Sequence, residues 1–289
     1  MIQAMESPDG AGRRPGASRP TSPVSTWQAF GRRIRPRAES LLVRLPAFER
    51  AVLVAGCQRS GTTALTRVIA GSAGFTRFAY THDDELDAAQ ILAGVIDCPP
   101  GLRRCFQTTY LNERVSEYWS TPGNFRLIWV IREPVAVVRS MVYNWRRFAL
   151  NELFLACGLG HATGREQALV RRFGPWIVPA ARRACLAYLA KTSQITEIAA
   201  RLPHDRLRVV DYNDLVRHRE QTLAKLFEFI GEPYRASYGA GLHDSSVGRS
   251  DGLTARARSQ VESVCGPAYR AAAALSPELL VSGNQSQRA

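Results

Sequence analysis

Residues 51–66 read Ala51-Val52-Leu53-Val54-Ala55-Gly56-Cys57-Gln58-Arg59-Ser60-Gly61-Thr62-Thr63-Ala64-Leu65-Thr66. The first five are an apolar run of the kind shown by a parallel strand covered on both faces. Gly56 and Gly61 bracket a tight loop, and residues 64–73 carry Leu65, Val68 and Ile69 at helical spacing. Strand, loop and helix in this order put Arg59, Ser60, Gly61, Thr62 and Thr63 at a helix N-terminus. Consecutive N–H groups, hydroxyls and the macrodipole favour an anion there. The stretch predicts a site for a phosphate or sulfate group.

Gly56-x-x-x-x-Gly61 has the spacing of a Walker A loop, but Thr62-Thr63 follows where that loop has Lys-Ser or Lys-Thr. The missing lysine is the group that reaches the β and γ phosphates of a nucleoside triphosphate, so ATP or GTP hydrolysis is disfavoured. A cation sits inside the loop instead, as Arg59, next to where a leaving oxygen of a bound nucleotide would lie. Two other functions stay open. One is a P-loop kinase or NTPase-like phosphotransferase, with Asp211 at the end of the apolar run 207–210 holding Mg²⁺ as a Walker B carboxylate. The other is a non-catalytic nucleotide-binding module. A Gly-rich turn with no ligand is the plain structural account.

The chain has 289 residues, enough for one large α/β domain and an extension. No apolar run approaches the roughly eighteen residues of a membrane span. Residues 1–26 are polar, without the apolar segment of a secretory signal. A soluble, cytoplasmic protein is the expectation. The formal charge is +13, and only Lys191 and Lys225 are lysines. That arginine skew, beside abundant alanine, has the look of genome-wide composition bias, and the remaining basicity fits a polyanionic ligand. Nucleic acid is not expected, because no zinc-ligand spacing, RNA-recognition aromatic motif or long basic helix is present. Cys57, Cys98, Cys105, Cys157, Cys185 and Cys265 form no Cys-x-x-Cys pair and read as reduced thiols, with no metal framework.

Residues 1–46 open in low-complexity Pro, Gly, Ser and Arg and are expected to form a disordered basic arm. Trp27 and Phe30 are the only reasons to dock any of it. After the first helix, residues 75–80 are expected to return as a second strand, delivering Thr81-His82-Asp83-Asp84-Glu85 to the carboxyl edge of the sheet. The acids there also suit the first turn of a helix running through Leu86 and Ile91. Residues 127–131 are the next strand, and Arg132-Glu133-Pro134 begins the helix after it. Residues 150–179 read as irregular, a lid or a surface loop. A helix over 180–202, a strand over 207–210, helices over 221–230 and 254–264, and a frayed end over 276–289 complete the reading.

The loop resembles the 5′-phosphosulfate loop of the sulfotransferases that use 3′-phosphoadenosine 5′-phosphosulfate (PAPS), whose pattern is Pro-Lys/Arg-Ser-Gly-Thr-Thr. Gln58 replaces the proline, and Ala64 stands where the cytosolic branch has an adenine-stacking tryptophan. Arg132 and Ser140 match the family's 3′-phosphate signature, and arginine suits a terminal phosphate because its planar fork binds two oxygens. The resemblance spans roughly residues 50 to 265. It implies a three-layer α/β/α, P-loop NTPase-like fold with a central parallel sheet, a sulfotransferase domain over 47–289, and sulfuryl transfer from PAPS to a hydroxyl or amine of a small-molecule or glycan acceptor. Arg59, Ser60, Gly61, Thr62 and Thr63 would grip the 5′ end, Arg132 and Ser140 the 3′-phosphate, and no metal is required. Tyr212 would approach the adenine, and Arg249 would be a second 3′ clamp. Gln107-Thr108-Thr109, where cytosolic members carry a catalytic histidine, offers no base, so Glu85 is the expected base, with His82 and Asp83 close behind; plain helix capping is the alternative there. The acceptor and the oligomeric state are not legible.

Overall fold

Alternation along the strands decides the layering. The computed structural model describes residues 22–78, 80, 82–242 and 252–276. In chain order its elements are α1 (Trp27–Arg33), β1 (Val52–Gly56), α2 (Thr62–Ala70), α3 (Asp84–Leu92), β2 (Cys105–Gln107), α4 (Glu117–Ser120), β3 (Arg126–Ile131), α5 (Pro134–Tyr143), α6 (Arg147–Ala156), α7 (Gly164–Phe173), α8 (Ala180–Arg201), β4 (Leu207–Asp211), α9 (Tyr212–Arg217), α10 (Arg219–Ile230) and α11 (Ala255–Ala273), with short 3₁₀ turns between some of them. Successive strand side chains point to opposite faces. Leu53, Ala55, Phe106, Leu127, Trp129 and Ile131 enter one core. Val52, Val54, Cys105, Ile128, Val130 and Val210 enter another on the far face. Both faces are dry, so helices cover both and the fold is three-layered.

The four strands are parallel in the order β2-β1-β3-β4. Residues 52–54 of β1 pair with 105–107, and 52–56 pair with 126–130 on the other side. The chain leaves β1 in both directions, which makes the carboxyl ends of β1 and β3 a topological switch point, the place where open α/β sheets bind ligands. The loop after β1 and Arg132 after β3 both lie there.

Helix α2 and helix α10 cover one face with Leu65, Ile69, Leu223, Leu226 and Phe227. Helix α3 and the second half of α8 cover the other with Leu86, Ile91, Ile195 and Ile198. A further cluster joins α5, α6, α8 and α11 through Val138, Leu153, Tyr188 and Val261.

Several expectations are corrected. Residues 22–46 are not an arm: α1 and the turn after it pack on the body, with Val24, Phe30, Ile34, Leu41, Leu42 and Leu45 buried in the main core. The Gln90 carboxamide holds the Val24 backbone from both sides, accepting from its N–H at 2.6 Å and donating to its carbonyl at 2.9 Å. The expected strand at 75–80 is absent among its described residues. Thr76 N–H bonds Arg103 O at 3.0 Å, Tyr80 N–H goes to the Asp87 carboxylate at 2.8 Å, and the Arg104 guanidinium takes the Thr76 and Arg77 carbonyls. The second sheet position belongs to β2. Residues 150–179 are mainly helical, as the end of α6 and the whole of α7, the latter closed by a Thr163/Glu166 capping box. The last helix runs on past 264 to Ala273 in spite of Pro267, and Ser276, expected to fray, is buried and donates to Val209 O at 3.2 Å. Arg249 lies outside the described residues.

Candidate active site

The loop between β1 and α2 is built by two close approaches. A Cβ on Gly56 would sit 2.2 Å from the Val130 carbonyl oxygen of β3, so the strand can turn there only as glycine. Gly61 precedes α2 in the left-handed region at φ 95°, and no side chain caps the helix after it. The uncapped N–H groups of the first turn are therefore left for an anion. Ser60 is fully buried, and its hydroxyl has no hydrogen-bond partner among the described residues, which is costly unless a ligand supplies one. Thr62 is buried and Thr63 exposed. Arg59 itself adopts a positive φ of 71°, a strained conformation for a residue with a side chain.

The two phosphate sites expected from sequence meet through Arg59. Its Nε–H donates to Ser140 Oγ on α5 at 3.0 Å, and its carbonyl accepts from Arg132 Nη1 at 3.4 Å. Arg132 is held from below: its own carbonyl accepts from the Tyr188 hydroxyl of α8 at 2.7 Å, and its guanidinium lies 4.5 Å from the ring centroid of Tyr212. Burial pulls the Arg132 pKa down, opposed by Tyr212 and by the carboxylate of Glu133. Tyr212 is buried against Gly61 and Arg132, as a wall of the loop.

Glu85, in the first turn of α3, is drawn into the same network. Its Oε2 accepts from Gln107 Nε2 at 2.9 Å and its Oε1 from the Thr109 hydroxyl. The same Gln107 nitrogen donates to Thr62 Oγ1 at 3.3 Å, so one carboxamide bridges the phosphate loop and the carboxyl group. Burial pushes the Glu85 pKa up to about 7, against the pull of the Thr109 hydroxyl and of Lys191. Asp83 caps the helix, accepting from the Glu85 and Leu86 N–H groups at 3.1 Å each. The capping role thus falls to Asp83 and frees Glu85 for the site. Asp83 also accepts from the indole N–H of Trp27 at 2.8 Å, which ties α1 to the site.

A cavity of about 1140 Å³ opens over Glu85, with Trp27, Thr63, His82, Gln107 and Trp145 among its walls. His82 is exposed in that wall. Trp176 stands outside the cavity, and Trp119 sits at the core edge under the Arg201 guanidinium. Asp211, the Walker B candidate, is already engaged: it caps α9 through Asn213 N–H at 2.8 Å and accepts from the Tyr269 hydroxyl. No group of three His, Cys, Asp or Glu side chains among the described residues is arranged to hold a metal.

Sequence reasoning passed over Gln107 and Thr109 because neither is a base, yet they hold the base candidate. The signal was three polar residues in a row, Gln107-Thr108-Thr109, leaving a strand; all three are buried. Lys191 was missed too. It is fully buried in α8 and donates to Thr109 O at 3.3 Å, beside Gln58 Nε2, which reaches the same oxygen at 3.0 Å. In a chain that otherwise uses arginine, one of two lysines in a helix interior was the clue.

Residues 49–240 match the family model of the sulfotransferase domain. The chain belongs to the sulfotransferase family. This sulfotransferase is an enzyme of sulfuryl transfer from PAPS, and the phosphotransferase alternative is not favoured. No curated protein matches it. Among solved structures it is similar to the sulfotransferase domain from the curacin biosynthetic pathway, at 15% identity and a TM-score of 0.46 over 69% of this chain and 80% of that one. It is similar to sulfotransferase STF9 from Mycobacterium avium, at 15% identity and a TM-score of 0.46 over 84% and 86% of the two chains. The mouse sulfotransferase SULT7A1, complexed with PAP, is similar at 18% identity and a TM-score of 0.40 over 72% and 69%. No described helix of the sulfotransferase is long and apolar enough to cross a membrane.

Proposed function

We infer that Glu85 is the general base of this sulfotransferase and that Arg59, Ser60, Gly61, Thr62, Thr63, Arg132 and Ser140 hold the donor. The observation that carries this reading is the Thr62–Gln107–Glu85–Thr109 hydrogen-bond chain, which fixes a carboxyl group of raised pKa at the edge of an anion loop. PAPS, when bound, supplies an activated sulfuryl group on a good phosphate leaving group. The residues present fit it: the orphan Ser60 hydroxyl and the uncapped α2 N-terminus suit its 5′ end, and Arg132 with Ser140 suits its 3′-phosphate.

In this reading an acceptor hydroxyl or amine lies in the cavity, within reach of Glu85. Glu85 in its ionised form takes the proton, and Gln107 and Thr109 keep its two oxygens oriented. Arg59, which rests on Ser140, would be the cation that stabilises charge developing on the leaving oxygen. His82 stands in the cavity wall as a contact for the acceptor. The cavity volume suits a small molecule or the end of a glycan. We draw the catalytic unit from residue 22, because α1 contributes Trp27 to the cavity. A reducing, cytoplasmic setting belongs to the same reading and is supported by six free cysteines.

Thermal-shift measurements with adenosine 3′,5′-bisphosphate, ATP with Mg²⁺ and GTP test the donor before any acceptor is known. The bisphosphate is expected to raise the melting temperature most; a larger shift with ATP and Mg²⁺ would overturn the assignment. A bisphosphate shift with no sulfate transfer to any of a panel of alcohols, phenols and amino sugars would favour the non-catalytic module.

A further inference from the structure

Phe173, Trp176 and Ile177 stand 43%, 72% and 44% exposed, and Trp176 is the most exposed large apolar side chain among the described residues. The turn that presents them is fixed from below. Arg183 of α8, itself buried, donates through Nη1 to Pro175 O at 3.1 Å and to Val178 O, and Val178 is buried beside it. A buried guanidinium spent on two loop carbonyls holds the turn in one shape while its apolar side chains face outward.

Cations surround this face. Arg146, Arg147, Arg165, Arg171 and Arg172 are exposed, and the Arg172 guanidinium lies 5.0 Å from the Phe173 ring centroid. From Arg146 to Arg183 the sequence holds seven arginines against two glutamates. Of those two, Glu166 is paired with Arg182 at 3.2 Å and Glu152 lines the cavity, which leaves the face cationic. Helix α6 packs against the turn, but its Phe148 and Leu155, like Arg146 and Glu152, line the cavity. A second copy of the chain would bring the same arginines against these, like charge on like. A bilayer with anionic headgroups offers the opposite charge and a layer where Trp and Phe are at home.

We propose that this face, centred on Trp176 and ringed by arginines, docks the enzyme on an anionic lipid surface without crossing it. Trp176, Phe173 and Ile177 enter the headgroup layer, and Arg171, Arg172, Arg165 and Arg147 meet lipid phosphates. The surface is separate from the phosphate loop and does not depend on which residue is the base.

Sedimentation of the full chain with vesicles tests this, using phosphatidylcholine alone and phosphatidylcholine mixed with phosphatidylglycerol. Binding to the mixed vesicles is expected, weakening as salt rises. Trp176→Ser with Phe173→Ser, and separately Arg171→Glu with Arg172→Glu, are expected to weaken it by about tenfold or more, with the bisphosphate thermal shift unchanged. All four side chains are exposed, and the unchanged bisphosphate thermal shift reports that each variant is folded. Binding by the Trp176/Phe173 variant equal to wild type would reduce the effect to the net charge of the chain and overturn the proposal. So would equal binding to neutral vesicles, no binding at low salt, or light scattering that shows a dimer dispersed by Trp176→Ser.

Discussion

The ring of Tyr212 fills the space that any side chain at position 61 would need: a Cβ built on Gly61 would lie 2.1 Å from the ring Cδ2. The start of α9 and the loop after β1 are therefore fitted to each other, and the fit fixes where the first turn of α2 begins. Gly61→Ala is expected to push Tyr212 off Arg132, strain a left-handed residue and spoil both phosphate sites together. A loss of about 1–3 kcal/mol in unfolding free energy, with the bisphosphate thermal shift abolished, is the expected result of chemical denaturation and thermal-shift measurements.

Glu85→Gln keeps the hydrogen-bond geometry and removes the base. Turnover is expected to fall by a factor of roughly 100 or more. In wild type, activity is expected to decline as pH falls through about 7, where burial places this carboxyl group. The stability consequence has the opposite slope. A carboxyl whose folded pKa is raised contributes stability at low pH and loses it as pH rises from the unfolded value, 4.5, through about 7. Glu85→Gln should therefore gain melting temperature over wild type at pH 8 and not at pH 4, as calorimetry across pH will show.

Arg132→Lys should weaken adenosine 3′,5′-bisphosphate by about tenfold or more while AMP binding changes little, because the planar fork and the stack on Tyr212 are both lost. Calorimetric titration with the two nucleotides measures the difference. Equal losses would remove Arg132 from the 3′-phosphate.

Arg59→Ala is expected to lower turnover by roughly 100-fold or more with a smaller effect on bisphosphate affinity. Its side chain rests on Ser140, so Ser140→Ala should leave turnover within a few-fold and weaken the bisphosphate. Single-turnover kinetics on the two variants separate the roles.

Phe30→Ala is expected to cost about 3–5 kcal/mol, as for a fully buried core phenylalanine. An arm would show no change, so urea denaturation of this one variant checks the packing of residues 22–46.

The sequence made residues 51–66 legible because strand, turn and helix chemistry there are all local: an apolar run, two glycines and an uncapped helix start. The same holds for β3, whose apolar run ends in Arg132 before Pro134, and for β4. What was hidden depends on distant partners. Strand β2 has three residues and exists only because β1 pairs with it, whereas residues 75–78 look extended but have their carbonyls taken by Arg104. Glu85 was visible as a carboxylate at the sheet edge; its two holders, Gln107 and Thr109, come from β2 and the loop after it and could not be paired with it by spacing. The docking of α1 rests on Gln90, Asp83 and Glu113, all more than fifty residues away.

That docking sets an order of events at the ribosome. Phe30, Leu41 and Leu42 emerge before partners of this segment such as Leu92, Tyr110 and Glu117. At about 5–20 residues per second, synthesis leaves these side chains bare for on the order of ten seconds. Residues 22–46 thus wait for partners that are made later, and a nascent-chain chaperone that shields them would act while their apolar side chains are still bare.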